Sequence, residues 1–398
     1  MRVFLSICLT VALTAHVVTG QTQVQGPGLD IEFRRIEPPA GYEITHLWQT
    51  MGYLPSQFLE AQRFEMMKYI GITGLVSQVH WSEVEREGPL DAQFDTYMRF
   101  RMVLKQEGLK WTPVLMVNPM YSTPAWFRNS GDSVFLRCLE HDIQTPVQSI
   151  WNPHLRQHIR RFLRKTAEFC HKDRDSLGTV RLGFCGKFGE AAFPVKPGIE
   201  CPDSTHAHPG WWAGDRYARE DFRGWLNDRY GSPQELASAW GIPATASDEI
   251  ATGSGNLISL PNEPLAGVPV HNSEGLEDIY RTRFVDFVTW YESSMTDYVS
   301  MWLEEARQFF QGDRIDIVVP GDNPRQMGTD LVSLARVARD YRAGLWCIAM
   351  NDDFLDGLVQ TKLLSSAARG YDIPFGTEEE LQNNERGIAG RFFHTLAS

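Results

Sequence analysis

The chain has 398 residues, 42% of them hydrophobic, with 12 Trp, 12 Tyr and 22 Phe, enough apolar material for a sizeable core in one large domain or two ordinary ones. Its 38 Lys and Arg stand against 50 Asp and Glu, a formal charge of −12 that repels phosphate backbones, so nucleic acid is not an expected partner. Average use of Gly (33) and Pro (22) excludes collagen-like and low-complexity chains.

Residues 1–20 read as a secretory signal: Arg2 precedes an apolar run from Val3 to Val18, with small residues before Gln21. The run is too short for a membrane anchor and is broken by Ser6, Thr10, Thr14 and His16. No later stretch is apolar enough to span a bilayer, so the expectation is a secreted or periplasmic protein without stable membrane insertion. Residues 21–42 form an N-terminal extension. Cys8 belongs to the leader, leaving Cys138, Cys170, Cys185, Cys201 and Cys347, an odd set in which Cys185 and Cys201 flank one loop and make the plausible bridge. No CxxC spacing supports a redox or zinc-ribbon role.

From about Tyr42 onward, short apolar runs alternate with helical patterns, the order of βα units around a parallel sheet. The strand candidates are Glu43 to Trp48, Gly74 to His80, Lys110 to Val117, Val180 to Cys185, Ile315 to Pro320, Leu345 to Met350 and Asp372 to Gly376. One helix places Leu155, Ile159, Phe162, Leu163, Thr166, Phe169 and Cys170 on an apolar face, with Arg156, Arg160, Arg161, Arg164 and Lys165 read as its solvated side. Residues 188–279 form an elaborated loop region, within which Ser232, Pro233 and Glu235 make a capping-box start closed by Gly241. A long helix runs from Tyr280 to Phe310, and another is expected from Asn384 to Leu396. The fold class is α/β, a (β/α)8 TIM-type barrel over residues 43–398 with seven strands readable. Either residues before Tyr42 close the sheet or the sequence stops before an eighth unit.

Active sites of such barrels lie at the carboxyl ends of the strands. There the sequence places His80, Trp81 and Glu83; then Asn118, Tyr121 and Trp126; then Lys187 and Glu190; then Asp322 and Asn323; then Asn351, Asp352 and Asp353; and last Glu378, Glu379 and Glu380. Acids and amides bond sugar hydroxyls and flat rings cover pyranose faces. The expected partner is therefore a carbohydrate, held by His80, Trp81, Asn118, Trp126, Lys187, Asp322, Asn323 and Asn351, although each aromatic taken singly is as readily a packing residue.

Two carboxyls on different strands can flank a glycosidic bond, one protonating the leaving oxygen and the other attacking or activating water. Glu190 is the first, in a glycine-rich turn where Phe188 and Phe193 would form an apolar wall that raises its pKa. Glu378, the first carboxylate past the last strand, is the second, with Glu379 or a separate acid such as Asp322 or Asp352 as alternatives. A helix capping box from Thr377 accounts for Glu380 but not for Glu378. Cys201, His206 and His208 lack a fourth zinc ligand, so neither metal nor cofactor is expected. The sequence has no Gly-x-Ser-x-Gly elbow, His-Glu-x-x-His, Walker loop or dinucleotide fingerprint, which weakens esterase, zinc protease, NTPase and dehydrogenase readings.

Several segments in order carry a family resemblance: Gly71 to Trp81 followed by Glu85, Gly88 and Asp91; Gly108 to Val117 followed by Pro124, Ala125 and Trp126; and Trp225, Tyr230, Gly231, Leu236, Ala239, Trp240 and Gly241. The chain resembles a clan A glycoside hydrolase of the family 42 β-galactosidase type. That resemblance implies an acid/base Glu after strand four and a nucleophilic Glu after strand seven, which map onto Glu190 and Glu378 with retention of configuration, and a tendency to form oligomers. Family members carry Asn immediately before the acid/base Glu, where this chain has Gly189. The string Gly186 to Pro194 is instead similar to the Gly-Glu segment of β-amylases, which are inverting barrel enzymes. The expectation is a secreted glycosidase; the alternatives are an inverting β-amylase-like hydrolase and a sugar-binding barrel without turnover.

Overall fold

The structure is a computed structural model that describes residues 3–8, 44–49, 61–69, 71–194, 210–241, 276–321, 325–349 and 354–380. Parallel strands covered on both faces need apolar residues throughout, and β3 (Gly74–His80) and β8 (Ile315–Pro320) are buried at every position. They belong to a closed barrel with β1 (Val3–Cys8), β2 (Ile44–Gln49), β4 (Lys110–Met116), β7 (Val180–Leu182), β9 (Gly344–Ala349) and β10 (Phe375–Glu380). The strand order is β1-β10-β9-β8-β7-β4-β3-β2. After β4 comes a short antiparallel hairpin of β5 (Phe135–Arg137) and β6 (Gln144–Gln148).

One of the two alternatives for closing the sheet holds, and one expectation is corrected. Seven strands match the sequence reading, and the eighth lies in the N-terminal run: Val3–Cys8 pairs in parallel with Phe375–Glu380 on one side and with β2 on the other. Cleavage near Gln21 would remove this strand and leave β2 and β10 as edges. Further along, Thr377 to Glu380 is not the start of a helix. The run from Phe375 to Glu379 pairs with Leu345 to Ala349 of β9, so the ladder takes the backbone groups that a capping box would use. The expected helix from Asn384, and Asp322, Asn323, Asn351, Asp352, Asp353, Cys201, His206 and His208, lie outside the described residues.

The helical shell comprises α1 (Ala61–Tyr69), α2 (Trp81–Val84), α3 (Asp95–Gln106), α4 (Ala125–Arg128), α5 (Leu155–Cys170), α6 (Arg216–Tyr230), α7 (Pro233–Trp240), α8 (Leu276–Phe309), α9 (Leu331–Asp340) and α10 (Phe354–Gly370). Among the described residues, none of these helices is long and apolar enough to cross a membrane. The Ser232 side chain caps α7 by accepting from the Glu235 N–H, and Gly241 ends it in the left-handed region at φ 61°. Asp215 caps α6 through Tyr217 and Ala218. The carboxylate of Asp286 on α8 accepts from Trp240 Nε1 at 2.7 Å and from the Tyr230 hydroxyl, which ties α6 and α7 to the long helix.

The apolar face of α5 is buried as expected, but its basic stripe is divided. Arg156 reaches Glu304 and Glu305 of α8, both at 2.7 Å. Arg161 and Lys165 turn to the other side onto Glu85, whose side chain is 0% exposed. Arg161 binds it in a two-pronged contact at 2.9 and 2.7 Å, Lys165 lies at 2.8 Å, and Trp81 Nε1 donates at 2.8 Å. A buried carboxylate demands such compensation. Cys138, Cys170, Cys185 and Cys347 are buried; Cys185 packs in the main core as a thiol, and Cys201, expected to bridge to it, lies outside the described residues. Glu85→Ala would leave two cations facing an apolar pocket. We expect it to lower the free energy of unfolding by about 3 kcal/mol, read from denaturant melts.

Candidate active site

Side chains alternate across a strand, which sorts the barrel residues into shell and lumen. On β3, Leu75 and Val79 join the main core, whereas Val76 joins a second apolar cluster with Val114, Met116 and Val318, against which Tyr121 and Ile348 pack. Gln78 and His80 share the face of Val76. On β10, Phe375 faces the main core, so Glu378 faces the lumen. There the Trp346 indole N–H donates to Glu378 Oε2 at 3.2 Å. The Arg181 guanidinium lies 3.9 Å from the same oxygen, stacks 3.3 Å from the Trp346 ring centroid and donates to Thr45 Oγ1 at 3.3 Å.

Glu190 stands on a loop that β7 feeds and that its own backbone closes. Phe184 N–H donates to Gly189 O at 2.8 Å, Gly186 N–H to Glu190 O at 3.0 Å and Gly189 N–H to Gly186 O at 3.0 Å. Two glycines are required. Gly189 sits at φ 95°, and a Cβ on Gly186 would lie 2.4 Å from the Glu190 carboxylate. The Glu190 carboxylate accepts the Phe188 N–H at 2.8 Å and the residue is 7% exposed. The far end of the loop is fixed to β8 and beyond: Ala191 N–H donates to Val318 O at 2.7 Å and Phe193 N–H to Met327 O at 2.9 Å. Tyr121 OH, on the loop after β4, donates to Lys187 O at 2.8 Å.

The expected site residues divide into distinct groups. Glu190 and Lys187 share the β7 loop, with the Lys187 ammonium 5.0 Å from the Phe188 ring. His80 is buried. Its Nδ1 is 2.7 Å from Ser122 Oγ, and Tyr121 meets its ring edge-on at 5.3 Å. Burial pushes its pKa down to about 4, so its imidazole is neutral at neutral pH. Its Nε2, like Gln78 Oε1, has no hydrogen-bond partner among the described residues.

Three others are placed elsewhere. Trp81 is fully buried against Trp126, Phe127 and His158, because it begins the outward-turning helix α2. Trp126 donates to Glu85 O at 2.7 Å and packs on the same cluster. Asn118 is buried, donating to Gln148 O at 3.2 Å and accepting from Tyr298 OH at 2.6 Å. Its amide joins the β5-β6 hairpin to α8. Phe193, expected as a wall for Glu190, stacks on Tyr291 at 4.1 Å and on Trp151 at 5.4 Å in the shell.

Sequence reading missed Arg181 and Trp346. The signal for Arg181 was present: a lone charge between Val180 and Leu182, inside a run too apolar to be anything but a covered strand. Among the described residues no group of three or more His, Cys, Asp or Glu is placed to hold a metal.

No protein-family model matches the chain. Among characterised sequences it is similar to a beta/alpha-amylase of Paenibacillus polymyxa, 22% identical over 280 residues, which cover 65% of this chain and 22% of that protein. It is also similar to a beta-amylase of Cytobacillus firmus, again 22% identical over 280 residues, covering 65% of this chain and 55% of that one. The chain thus spans about half the length of these relatives or less. In three dimensions it is similar to the catalytic domain of the beta-amylase from Paenibacillus polymyxa, with a TM-score of 0.71 and 18% identity over 89% of this chain and 90% of that one. The beta-galactosidase of the psychrophilic Marinomonas ef1 matches with a TM-score of 0.58 and 12% identity, over 89% of this chain and 59% of that one. The fold is the closed parallel barrel shared with these beta-amylase and beta-galactosidase structures.

Proposed function

We propose that the chain is a glycosidase that hydrolyses O-glycosidic bonds of a poly- or oligosaccharide, with Glu190 as the acid and Glu378 as the base or nucleophile. The observation that carries this reading is the difference between the two carboxyls. Glu378 lies beside a guanidinium and an indole N–H, which favours the ionised form. Glu190 is held at the carboxyl end of β7 in a nearly closed loop, where a carboxyl can keep the proton it must donate. Hydrolysis needs only water besides these groups, so the reading calls for no cofactor.

The names of the relatives narrow the substrate. The likeness to a beta-amylase catalytic domain extends over most of both chains, and it supports an amylose-type glucan cleaved with inversion, Glu378 activating a water. Retention, which the β-galactosidase resemblance implies, is the competing course. It requires the carboxyls about 5–5.5 Å apart rather than about 6.5–9.5 Å. Proton NMR of the first product released from malto-oligosaccharides distinguishes them. We expect the anomer opposite to that of the substrate bond.

Glu190→Gln and Glu378→Gln should each lower kcat by at least about a hundredfold while leaving the unfolding midpoint close to that of the parent. Gly186→Ala, which pushes on the Glu190 carboxylate, should cost about tenfold or more in kcat with a smaller change in KM. Full turnover by Glu190→Gln would end the assignment. A second reading, a barrel that binds sugar without turnover, is favoured by the way Arg181 and Trp346 already engage Glu378. Glycan binding that survives both substitutions, with no hydrolysis by the parent chain, would establish it.

Export is proposed separately, on the strength of Arg2 and the apolar run that follows it. N-terminal sequencing of protein recovered from the medium or periplasm should give a start near Gln21. The mature barrel would then lack β1. A chain that retains residues 3–8 would overturn export by cleavage.

A further inference from the structure

We infer that Arg181 is a positioning residue that acts through Glu378, and that it fixes which of the two carboxyls works in the ionised form. The inference rests on the two-carboxylate reading above. The observation beneath it is the burial of a permanent cation in the barrel lumen. Arg181 has a side chain only 2% exposed, and a guanidinium keeps its charge at any physiological pH. Such a charge persists inside a protein only where an anion and hydrogen-bond acceptors meet it.

Trp346 is the link between the two groups. Its ring face carries the guanidinium at 3.3 Å from the centroid, a cation–π contact, while its Nε1 donates to Glu378 Oε2 at 3.2 Å. The indole therefore sets the cation and the carboxylate at a fixed offset, 3.9 Å apart. Thr45 Oγ1 on β2 accepts from Nη2 of the guanidinium at 3.3 Å. Ile348 on β9 is the uncharged inward neighbour. Asp316 on β8 is a further carboxyl beside Arg181: the two are partners in register, and Arg314 lies 3.8 Å from Asp316. Glu378 is thus the lumen carboxyl joined to both Arg181 and Trp346, and its side chain is 14% exposed.

An opposite charge within about 4–6 Å lowers a carboxyl pKa by roughly one to three units. Arg181 accordingly keeps Glu378 ionised through the working pH range, and Glu190, whose carboxylate accepts the Phe188 N–H on the β7 loop, is left as the proton donor. Turnover in such a pair requires the two roles to stay apart.

The test is the pH profile of kcat/KM in Arg181→Met and Arg181→Lys, with Glu378→Gln measured alongside. Arg181→Met should move the acid limb up by about one unit or more, and Arg181→Lys should restore most of that shift, since it returns the charge without the stacking. A merely structural role would lower activity equally at every pH, and a folded Arg181→Met with an unmoved limb overturns the inference. Carbon-13 NMR titration of Glu378 in the parent chain gives a readout that needs neither variant. A carboxyl titrating at or above the ordinary glutamate value overturns it even if Arg181→Met does not fold. If Glu378→Gln retains activity, the two-carboxylate reading itself fails, whatever Arg181 does.

Discussion

A permanent positive charge in the middle of a barrel is expensive, and the lumen of this protein is organised around meeting that cost. Arg181 enters between Val180 and Leu182, two residues of the main core, because a strand must turn every second side chain inward. Once there it needs acceptors and an anion. Thr45, Trp346 and Glu378 supply them from three other strands, and the apolar cluster of Val76, Val114, Met116 and Val318 fills space beside them. The lumen is therefore neither an open channel nor a uniform hydrocarbon plug. It is a polar cluster set against an apolar one.

The β7 loop answers a different constraint. A turn this tight, carrying a nearly buried carboxyl, has to be held closed from within. Here backbone geometry does the holding: carbonyl and amide groups of residues 184–190 bond one another, and Met116 packs where side chains on Gly183 and Gly189 would stand. Glycine is thus dictated by the approach of Met116 and by the φ of 95° at Gly189. Asn at that position, as in the β-galactosidase type, would have to adopt a left-handed backbone and displace the Met116 thioether. This departure is explained by packing, and it is consistent with the stronger structural likeness to a beta-amylase than to a beta-galactosidase.

Seven strands were legible because a covered parallel strand is a short apolar run, and such runs survive in the sequence whatever surrounds them. The caps of α7 were legible for a local reason too, since Ser232, Pro233 and Gly241 act on their own turn. What failed was whatever depended on neighbours. The four residues Thr377 to Glu380 match a capping box, and only the ladder offered by β9 makes them a strand. Val3–Cys8 is apolar enough for a leader or a strand, and pairing with β10 is not written in the run itself. Trp81 and Trp126 stand after strands, where sugar-binding rings belong, yet Glu85 holds both in the shell, Trp81 through its carboxylate and Trp126 through its backbone carbonyl. The burial of Glu85 was equally illegible, because the cations that neutralise it come from α5.

Comparing Glu85 with Glu378 shows how the same side chain is held in two ways in one fold. Glu85 is 0% exposed and is closed off by Arg161, Lys165 and the Trp81 indole. Every direction around it is taken up by a donor, so it fastens α2 to α5 and offers nothing to a substrate. Glu378 also faces an indole and a cation, but the cation stands back at 3.9 Å and the side chain remains 14% exposed. An ion pair at that distance still biases ionisation, yet it leaves the carboxylate able to turn toward an incoming group. The difference lies in depth: Glu85 is sealed between helices, while Glu378 lines the lumen of a barrel whose strands lead to a mouth. Where a carboxylate sits in the layers of this fold thus decides how completely donors close around its charge.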